Sequence, residues 1–474
     1  ETRLAGQVKC IYIDPPYNTG NEGWIYNDNV NDPKIKKWLG EVVGKEGEDL
    51  SRHDKWLCMM YPRLVLLQKL LAEDGAIFIS IDDNEHANLL LVCNEIFGSN
   101  NFIQDIIWNK RVSPARDAKF FSTDHEYILV YSKNKESLTT HFLPRTEKNN
   151  SYYKNPDNDP RGPWNSAAYT CNKSRDERPN LYYPITNPYT GEKIFPKESA
   201  VWAYSEETYQ QHVRDNLLYW GVNGEAKQPR KKAFLSEVGD VVPRSVWSHS
   251  DVGSTQKATM ENNTIFNMRA FSYPKVSTLV ERIIQIASDK DSIVLDSFAG
   301  SGTTAHAVLN MNKSDGGNRK FILVEMGDYA DTITAERVKR VINGYGEGKN
   351  AVEGTGGNFS YYELGNPLFM QDGTINDEVD ITEVRKYVWY TETNGIEYKE
   401  DIQEKYFLGS YNDTAYYFYY EKDRVTILDY EFLTSVHKKE QTYVMYADSC
   451  ALSDSDLQKW NITFKKIPRD IEHI

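Results

Sequence analysis

Only five of the 474 residues are cysteine (Cys10, Cys58, Cys93, Cys171 and Cys450), and no two stand at C-x-x-C spacing. That scatter argues against a disulfide framework and against a zinc site, and it fits a reducing cytoplasm. No run approaches the roughly 20 apolar residues that a membrane helix needs, so no membrane partner is expected. A secretory signal is lacking too. The chain opens at Glu1 rather than Met and carries a motif-bearing strand almost at once, so preceding sequence is expected to be missing and the absent signal carries little weight. Positive charge is in short supply, with 55 Lys and Arg against 69 Asp and Glu and a formal net charge of -14. Neither a Walker phosphate loop nor a helicase signature occurs in these residues.

What is present is ordinary globular material, 40% hydrophobic and 26% charged, in a chain long enough for two or three domains. The charge is uneven. Residues 353–474 carry 23 Asp/Glu against 12 Lys/Arg, which accounts for most of the net charge and reads as a separate acidic module. Residues 226–275 carry 8 Lys/Arg against 4 Asp/Glu. There Lys227, Arg230, Lys231 and Lys232, followed by Arg244, could meet a phosphate backbone or form a solvated loop.

Strand and helix signals alternate in two blocks. In the first, Lys9–Ile13 reads as a strand, 55–72 as a helix broken at Glu73-Asp74-Gly75, and Ala76–Ile81 as a buried strand. Asp82 to Glu85 can cap a helix running to about residue 97, and strands follow at Asn101–Trp108 and Glu126–Tyr131. In the second block, helix, strand, helix, strand and helix are expected at 276–287, 292–295, 303–310, 320–324 and 328–343. Between the blocks, residues 133–265 show no long regular pattern and are rich in Asn, Pro, Tyr, Trp, Lys and Arg. This predicts one doubly wound α/β domain in two pieces, 1–132 and 266–345, around an insertion at 133–265, with a mixed α/β domain at 346–474. The six glycines from Gly344 to Gly357 suit a linker.

Two motifs carry the chemistry. Asp14-Pro15-Pro16-Tyr17 follows the first strand directly. A chain of this length shows such a tetrapeptide by chance only about once per hundred, given proline at ~5%. A rigid turn is the plain alternative. The chemical reading is that the prolines fix the backbone at the edge of the sheet where open α/β folds bind ligands. Asp14 and the Pro15 carbonyl then present two acceptors to the two N–H groups of an exocyclic amine, and Tyr17 offers a face on which an extruded base stacks. The second motif is Asp296-Ser297-Phe298-Ala299-Gly300-Ser301-Gly302-Thr303-Thr304, between a strand and a helix. Gly300 and Gly302 permit a tight turn close to a ligand. A dinucleotide turn is the competing reading, but G-x-G-x-x-G spacing fails, because Thr303-Thr304-Ala305 follows Gly302. Glu325, 25 residues after Gly300, is placed to grip ribose hydroxyls.

Together these residues resemble the amino-methyltransferases of DNA, whose hallmarks are an Asp/Asn/Ser-Pro-Pro-aromatic catalytic motif and a Phe-x-Gly-x-Gly cofactor motif. The catalytic motif comes first here, the permuted order of the beta class. Phe271-Ser272-Tyr273-Pro274-Lys275 looks like the family's further cofactor-contacting segment, and 78–85 and 125–133 resemble segments of type III modification subunits. The resemblance covers 9–133 and 265–343 well, and Ser297 departs from it where many relatives have Pro. It implies a seven-stranded, mostly parallel sheet that binds S-adenosyl-L-methionine without a metal. Its catalytic residues would be Asp14, Pro15, Pro16 and Tyr17. Its cofactor residues would be Ser272, Tyr273, Pro274, Lys275, Asp296, Phe298, Ala299, Gly300, Ser301, Gly302, Thr303, Thr304 and Glu325.

The implied activity is methyl transfer to N6 of a flipped-out adenine in double-stranded DNA. The insertion would recognise the target, and Lys227, Arg230, Lys231, Lys232 and Arg244 would contact DNA. The implied partners are a second copy of the chain and a separate helicase/endonuclease restriction subunit. N4-cytosine methylation uses the same geometry, more often with Ser at the first motif position, and a non-catalytic recognition subunit could share the fold. A nicotinamide oxidoreductase is disfavoured by the broken glycine spacing.

Overall fold

The computed structural model describes residues 4–19, 52–370, 372–393, 395–396, 398–399 and 404–471. They form two compact units, Glu1–Phe359 and Ser360–Ile474. No helix among the described residues is long and apolar enough to cross a membrane.

The first unit is built on a seven-stranded sheet. Its strands are β1 (Val8–Ile13), β2 (Leu71–Ile81), β3 (Phe102–Asn109), β4 (His125–Ser132), β5 (Val246–Trp247), β6 (Ile293–Asp296) and β7 (Lys320–Leu323). They lie in the order β5-β3-β4-β2-β1-β6-β7. Every neighbouring pair is parallel except the two made by β4. The sheet is therefore mostly parallel, as expected, with one strand reversed.

Side-chain alternation sends the two faces of each strand into two cores. Ile11, Ile13, Ile77, Ile79 and Ile81 pack against helices α1 (Arg52–Leu70) and α2 (His86–Cys93). Cys10, Tyr12, Phe78 and Val294 point the other way, toward α3 (Thr255–Phe266), α4 (Ser277–Ala287) and α5 (Thr303–Asp315). Helix α6 (Glu336–Asn343) packs Val338 and Val341 on Ala305 and Leu309 of α5. A sheet covered on both faces explains why its strands read as unbroken apolar runs.

Three local readings change. Strand β2 runs back to Leu71 through the expected break at Glu73-Asp74-Gly75. A register shift between Val8 and Cys10 accommodates it, a Cβ on Gly75 would meet the Lys9 carbonyl oxygen at 2.8 Å, and Asp74 pairs with buried Lys9 at 2.6 Å. Helix α2 has Glu85 at its N-cap with no side-chain capping bond. The buried Glu85 carboxylate instead accepts from Asn88 at 2.8 Å and from Asn18, which ties α2 to the chain leaving β1. The expected 328–343 helix begins as a π-turn, Ala330–Ala335, before α6.

The insertion is narrower than its sequence suggests. Leu143 and Val241 bond to each other in both directions, N–H to carbonyl, at 2.8 and 2.7 Å. Inside that neck lie a three-stranded antiparallel sheet, Leu218–Tyr219, Arg230–Phe234 and Trp164–Ala168, and an aromatic core of Tyr169, Tyr183, Trp202, Tyr209 and Trp220. Residues after the neck rejoin the main domain: Val246 and Trp247 pair with β3, and Ala258 of α3 is buried in the main core. At the far end, Gly344–Tyr345 pairs with Val352–Glu353 inside the first unit, so the glycine-rich stretch is a hairpin rather than a free linker.

The second unit has its own four-stranded sheet, ordered Phe407–Tyr411, Thr414–Phe418, Thr442–Ala447 and Ile462–Lys466. Helix Ile381–Glu392 packs Val384, Val388 and Trp389 on one face of it.

Candidate active site

Strands β1 and β6 are adjacent and parallel, so the segments that leave their ends emerge side by side at one edge of the sheet. From β1 comes Asp14-Pro15-Pro16-Tyr17, and from β6 the glycine turn that opens α5. Both line one cavity of about 630 Å³, a size that suits a cofactor-sized ligand. Its walls bring together Asp14, Pro15, Pro16 and Tyr17, the segment Ser272 to Lys275, and Asp296, Phe298, Ala299, Gly300, Ser301, Thr303 and Thr304.

The Asp-Pro-Pro-Tyr motif is held by a polar cluster. Lys275 Nζ donates to both Asp14 oxygens, at 2.6 and 2.7 Å, and to the Tyr17 hydroxyl at 2.8 Å. The Tyr17 hydroxyl lies 3.0 Å from Asp14 Oδ1 and 3.0 Å from Glu126 Oε2, either of which can accept its proton. Lys110 Nζ donates to Glu126 Oε1 at 2.8 Å. Two carboxylates thus face two ammonium groups, which makes their burial tolerable. The Trp56 indole N–H donates to the Pro16 carbonyl at 2.7 Å and pins the turn.

Burial raises the Asp14 carboxyl above its ordinary range, with Lys275 pulling the other way and Glu126 adding to the rise. Burial would lower the Lys275 ammonium, but Asp14 and Glu126 outweigh it and hold the pKa up. Glu126 is likewise pushed up by burial, yet Lys275 and Lys110 leave it below the usual carboxylate value. Burial and the neighbouring carboxylates keep the Tyr17 phenol protonated, well above 10.

The glycine turn is fixed from behind. Gly300 N–H donates to Glu325 Oε2 at 2.7 Å, and the Thr334 hydroxyl to the Gly300 carbonyl at 2.6 Å. Buried Arg337 donates to the hydroxyls of Ser301 and Thr303, each at 2.9 Å, and to Glu261 at 3.0 Å. Asp296 accepts from Phe298 N–H at 3.0 Å and from the Thr304 hydroxyl. Burial pushes its carboxyl up to about 7, with Asp14 and Glu325 adding to the rise.

Four of the expected site residues make contacts that the sequence does not show. Lys275, expected on the cofactor, has its ammonium on Asp14 and Tyr17. Glu325 lies two residues beyond the end of β7 and is not among the residues lining the cavity; its carboxylate holds the N–H groups of Gly300 and Gly327. Gly302, at φ +81°, is required by its own packing, since a Cβ there would meet the Thr334 carbonyl oxygen at 2.9 Å. In the basic run, Lys232 is 2% exposed and sits between Asp157 and Asp159, at 2.5 and 2.9 Å, so it is not available to a phosphate. It shares the inner face of its strand with Phe234, whereas Lys227, Arg230 and Arg244 are exposed and half-buried Lys231 lies over the Tyr204 ring. Sequence reasoning missed Glu126, Lys110 and Arg111 at the cavity. For Glu126 the signal was available: an acid inside an otherwise apolar strand, His125–Ser132.

A family model described as DNA methylase matches residues 8–336, more than half of the chain. The chain belongs to this DNA methylase family. Two known proteins are similar to this chain. The Mod subunit of the type III restriction-modification enzyme StyLTI, from Salmonella typhimurium, is 36% identical over 72% of this chain and 54% of its own length. The type II methyltransferase M.KpnI, from Klebsiella pneumoniae, is 34% identical over 67% of this chain and 75% of its own. A solved structure, PvuII DNA methyltransferase (cytosine-N4-specific), aligns at 12% identity and a TM-score of 0.36, covering 70% of this chain and 80% of that one. The chain spans about half the length of the type III relatives it matches.

Proposed function

We propose that this member of the DNA methylase family transfers a methyl group from S-adenosylmethionine to N6 of an extruded adenine in double-stranded DNA. The observation that carries the reading is the convergence of Asp14 to Tyr17 and the glycine turn on one cavity, from adjacent parallel strands.

The residues suit the cofactor. The turn brings backbone close to the cavity, and the Asp296 carboxylate, whose bonds come from the Phe298 N–H and the Thr304 hydroxyl, favours a cationic ligand. When bound, S-adenosylmethionine supplies a methyl group already activated on a sulfonium. Asp14 and the Pro15 carbonyl accept the two N–H groups of the base amine and aim its nitrogen, so their contribution is positioning. Tyr17, its hydroxyl fixed by Lys275, is the platform on which the base stacks. Lys275 orients the Asp14 carboxylate and opposes the rise that burial imposes on it.

Asp14 at the first motif position favours adenine over cytosine. The type III Mod relatives support a role as modification subunit beside a separate restriction subunit. The test is incubation with methyl-labelled S-adenosylmethionine and unmodified DNA, followed by nucleoside analysis. N6-methyladenine is the expected product. N4-methylcytosine would move the chain to the cytosine reading, and no transfer would leave a non-catalytic recognition subunit.

A further inference from the structure

The loop between β3 and β4 takes no part in that chemistry, yet both its ends are cavity wall. It leaves at Lys110 and Arg111, which line the cavity, and returns at Glu126, which lines it too. The neck of the loop is closed. Lys110 N–H donates to the Asp124 carbonyl at 2.9 Å, Ala115 N–H to Ser122 Oγ at 2.7 Å, and the Ser122 hydroxyl to the Asp124 carboxylate. Beyond the neck stands a tip that reads Arg116-Asp117-Ala118-Lys119-Phe120-Phe121. Phe120 and Phe121 are 81% and 93% exposed, and Lys119 Nζ lies 5.3 Å from the Phe120 ring centroid.

Two neighbouring phenyl rings held in water contribute almost nothing to folding, because they bury little apolar surface. They are useful only against something that covers them. Their surroundings specify it: Arg111, Arg116 and Lys119 are exposed cations within the same short loop. Rings flanked by cations match a ligand with stacked aromatic planes and an anionic backbone. Extruding a base into the cavity opens a gap in the duplex beside this loop, and apolar side chains inserted at a base step fill such gaps.

We propose that Phe120 and Phe121 are the wedge that enters the duplex when the target base leaves it, with Arg111, Arg116 and Lys119 on the flanking phosphates. The proposal rests on the reading that a base is extruded into the cavity.

The test uses the whole chain and the variant F120A/F121A. The target site is first identified by sequencing modified bases in phage DNA treated with wild type. Two oligonucleotide duplexes then carry that site, one fully paired and one with an abasic position opposite the target base, where the stack is already broken. The variant should lose at least about tenfold in kcat/KM on the paired duplex and less than about threefold on the abasic one. Its affinity for S-adenosylmethionine, measured by calorimetry, should equal that of wild type. Equal losses on both duplexes, or no loss on either, would overturn the wedge. A changed sedimentation coefficient with no rescue by the abasic duplex would also overturn it and assign the rings to a contact between copies of the chain. A wild type that methylates no DNA would overturn the methylation reading itself, and the wedge with it. That result is visible before the variant is compared.

Discussion

Lys275 bears on the state of Asp14, the proposed catalytic carboxylate, since its ammonium opposes a burial that pushes Asp14 upward. Replacing it with Met should let burial raise Asp14 further, so the carboxyl stays protonated to higher pH. The expected K275M profile is weak activity near neutrality that recovers as pH rises. A profile with the wild-type midpoint would remove Lys275 from that role. Asp14→Ala, by contrast, should cost at least about 100-fold in turnover at every pH while S-adenosylmethionine still binds, if Asp14 aims the base amine as proposed. Asp296 supplies a second pH dependence. Its folded pKa of about 7 lies above the ordinary carboxylate value, so the proton is bound below about 7 and released above it. A cationic ligand prefers the ionised form. Affinity for S-adenosylmethionine should therefore climb as pH rises from about 6 to about 8, and the climb should flatten in D296N. Parallel calorimetric titrations of the two proteins, which share any titration of the ligand itself, check this.

Among the elements, the strands of the sheet and both motifs are legible because burial on two faces leaves long apolar runs, and because Asp-Pro-Pro-Tyr and the glycine turn are bounded by strand ends. Elements set by distant partners are not. Strand β5 is only Val246 and Trp247, too short for any periodicity, and exists because β3 offers a parallel edge. Glu73 and Asp74 look like a break until Lys9, far away in sequence, is seen paired with Asp74. Lys232 reads as one of four cations in a row, and only the fold shows two acids enclosing it. Hydrogen bonds from Arg161, with Lys232 beside them, hold Asp159 well below the carboxylate range, which marks a structural ion cluster. Lys232→Ala should therefore destabilise the protein by about 1.5–3 kcal/mol, seen in denaturant unfolding, by removing one charged donor from buried Asp159 while Arg161 still faces it. Neutralising exposed Lys227, Arg230 and Arg244 together should leave stability within about 0.5 kcal/mol and weaken binding to all DNA sequences alike. Unchanged DNA affinity at low and high salt would make that surface a solvated face.

Across the whole molecule, charge and chemistry are segregated. The cavity is lined entirely by residues of the unit Glu1–Phe359, while the acidic excess of 353–474 lies almost wholly in Ser360–Ile474. Within the first unit, the insertion has an aromatic core of its own and joins the main domain where Leu143 and Val241 bond to each other. A segment that folds around its own core and enters and leaves through one pair of residues can be exchanged without disturbing the sheet that holds the cavity. Replacing 144–240 with the matching segment of a relative, joined at Leu143 and Val241, should therefore preserve methyl transfer to the same base atom. If that segment reads the DNA, the methylated sequence should become the donor's, because base-edge contacts move with it while the catalytic residues stay. Sequencing of modified bases in cells expressing the chimera checks both points at once. An active chimera that kept the original site would show that 144–240 does not carry recognition, and the search would turn to the acidic unit or to a partner chain.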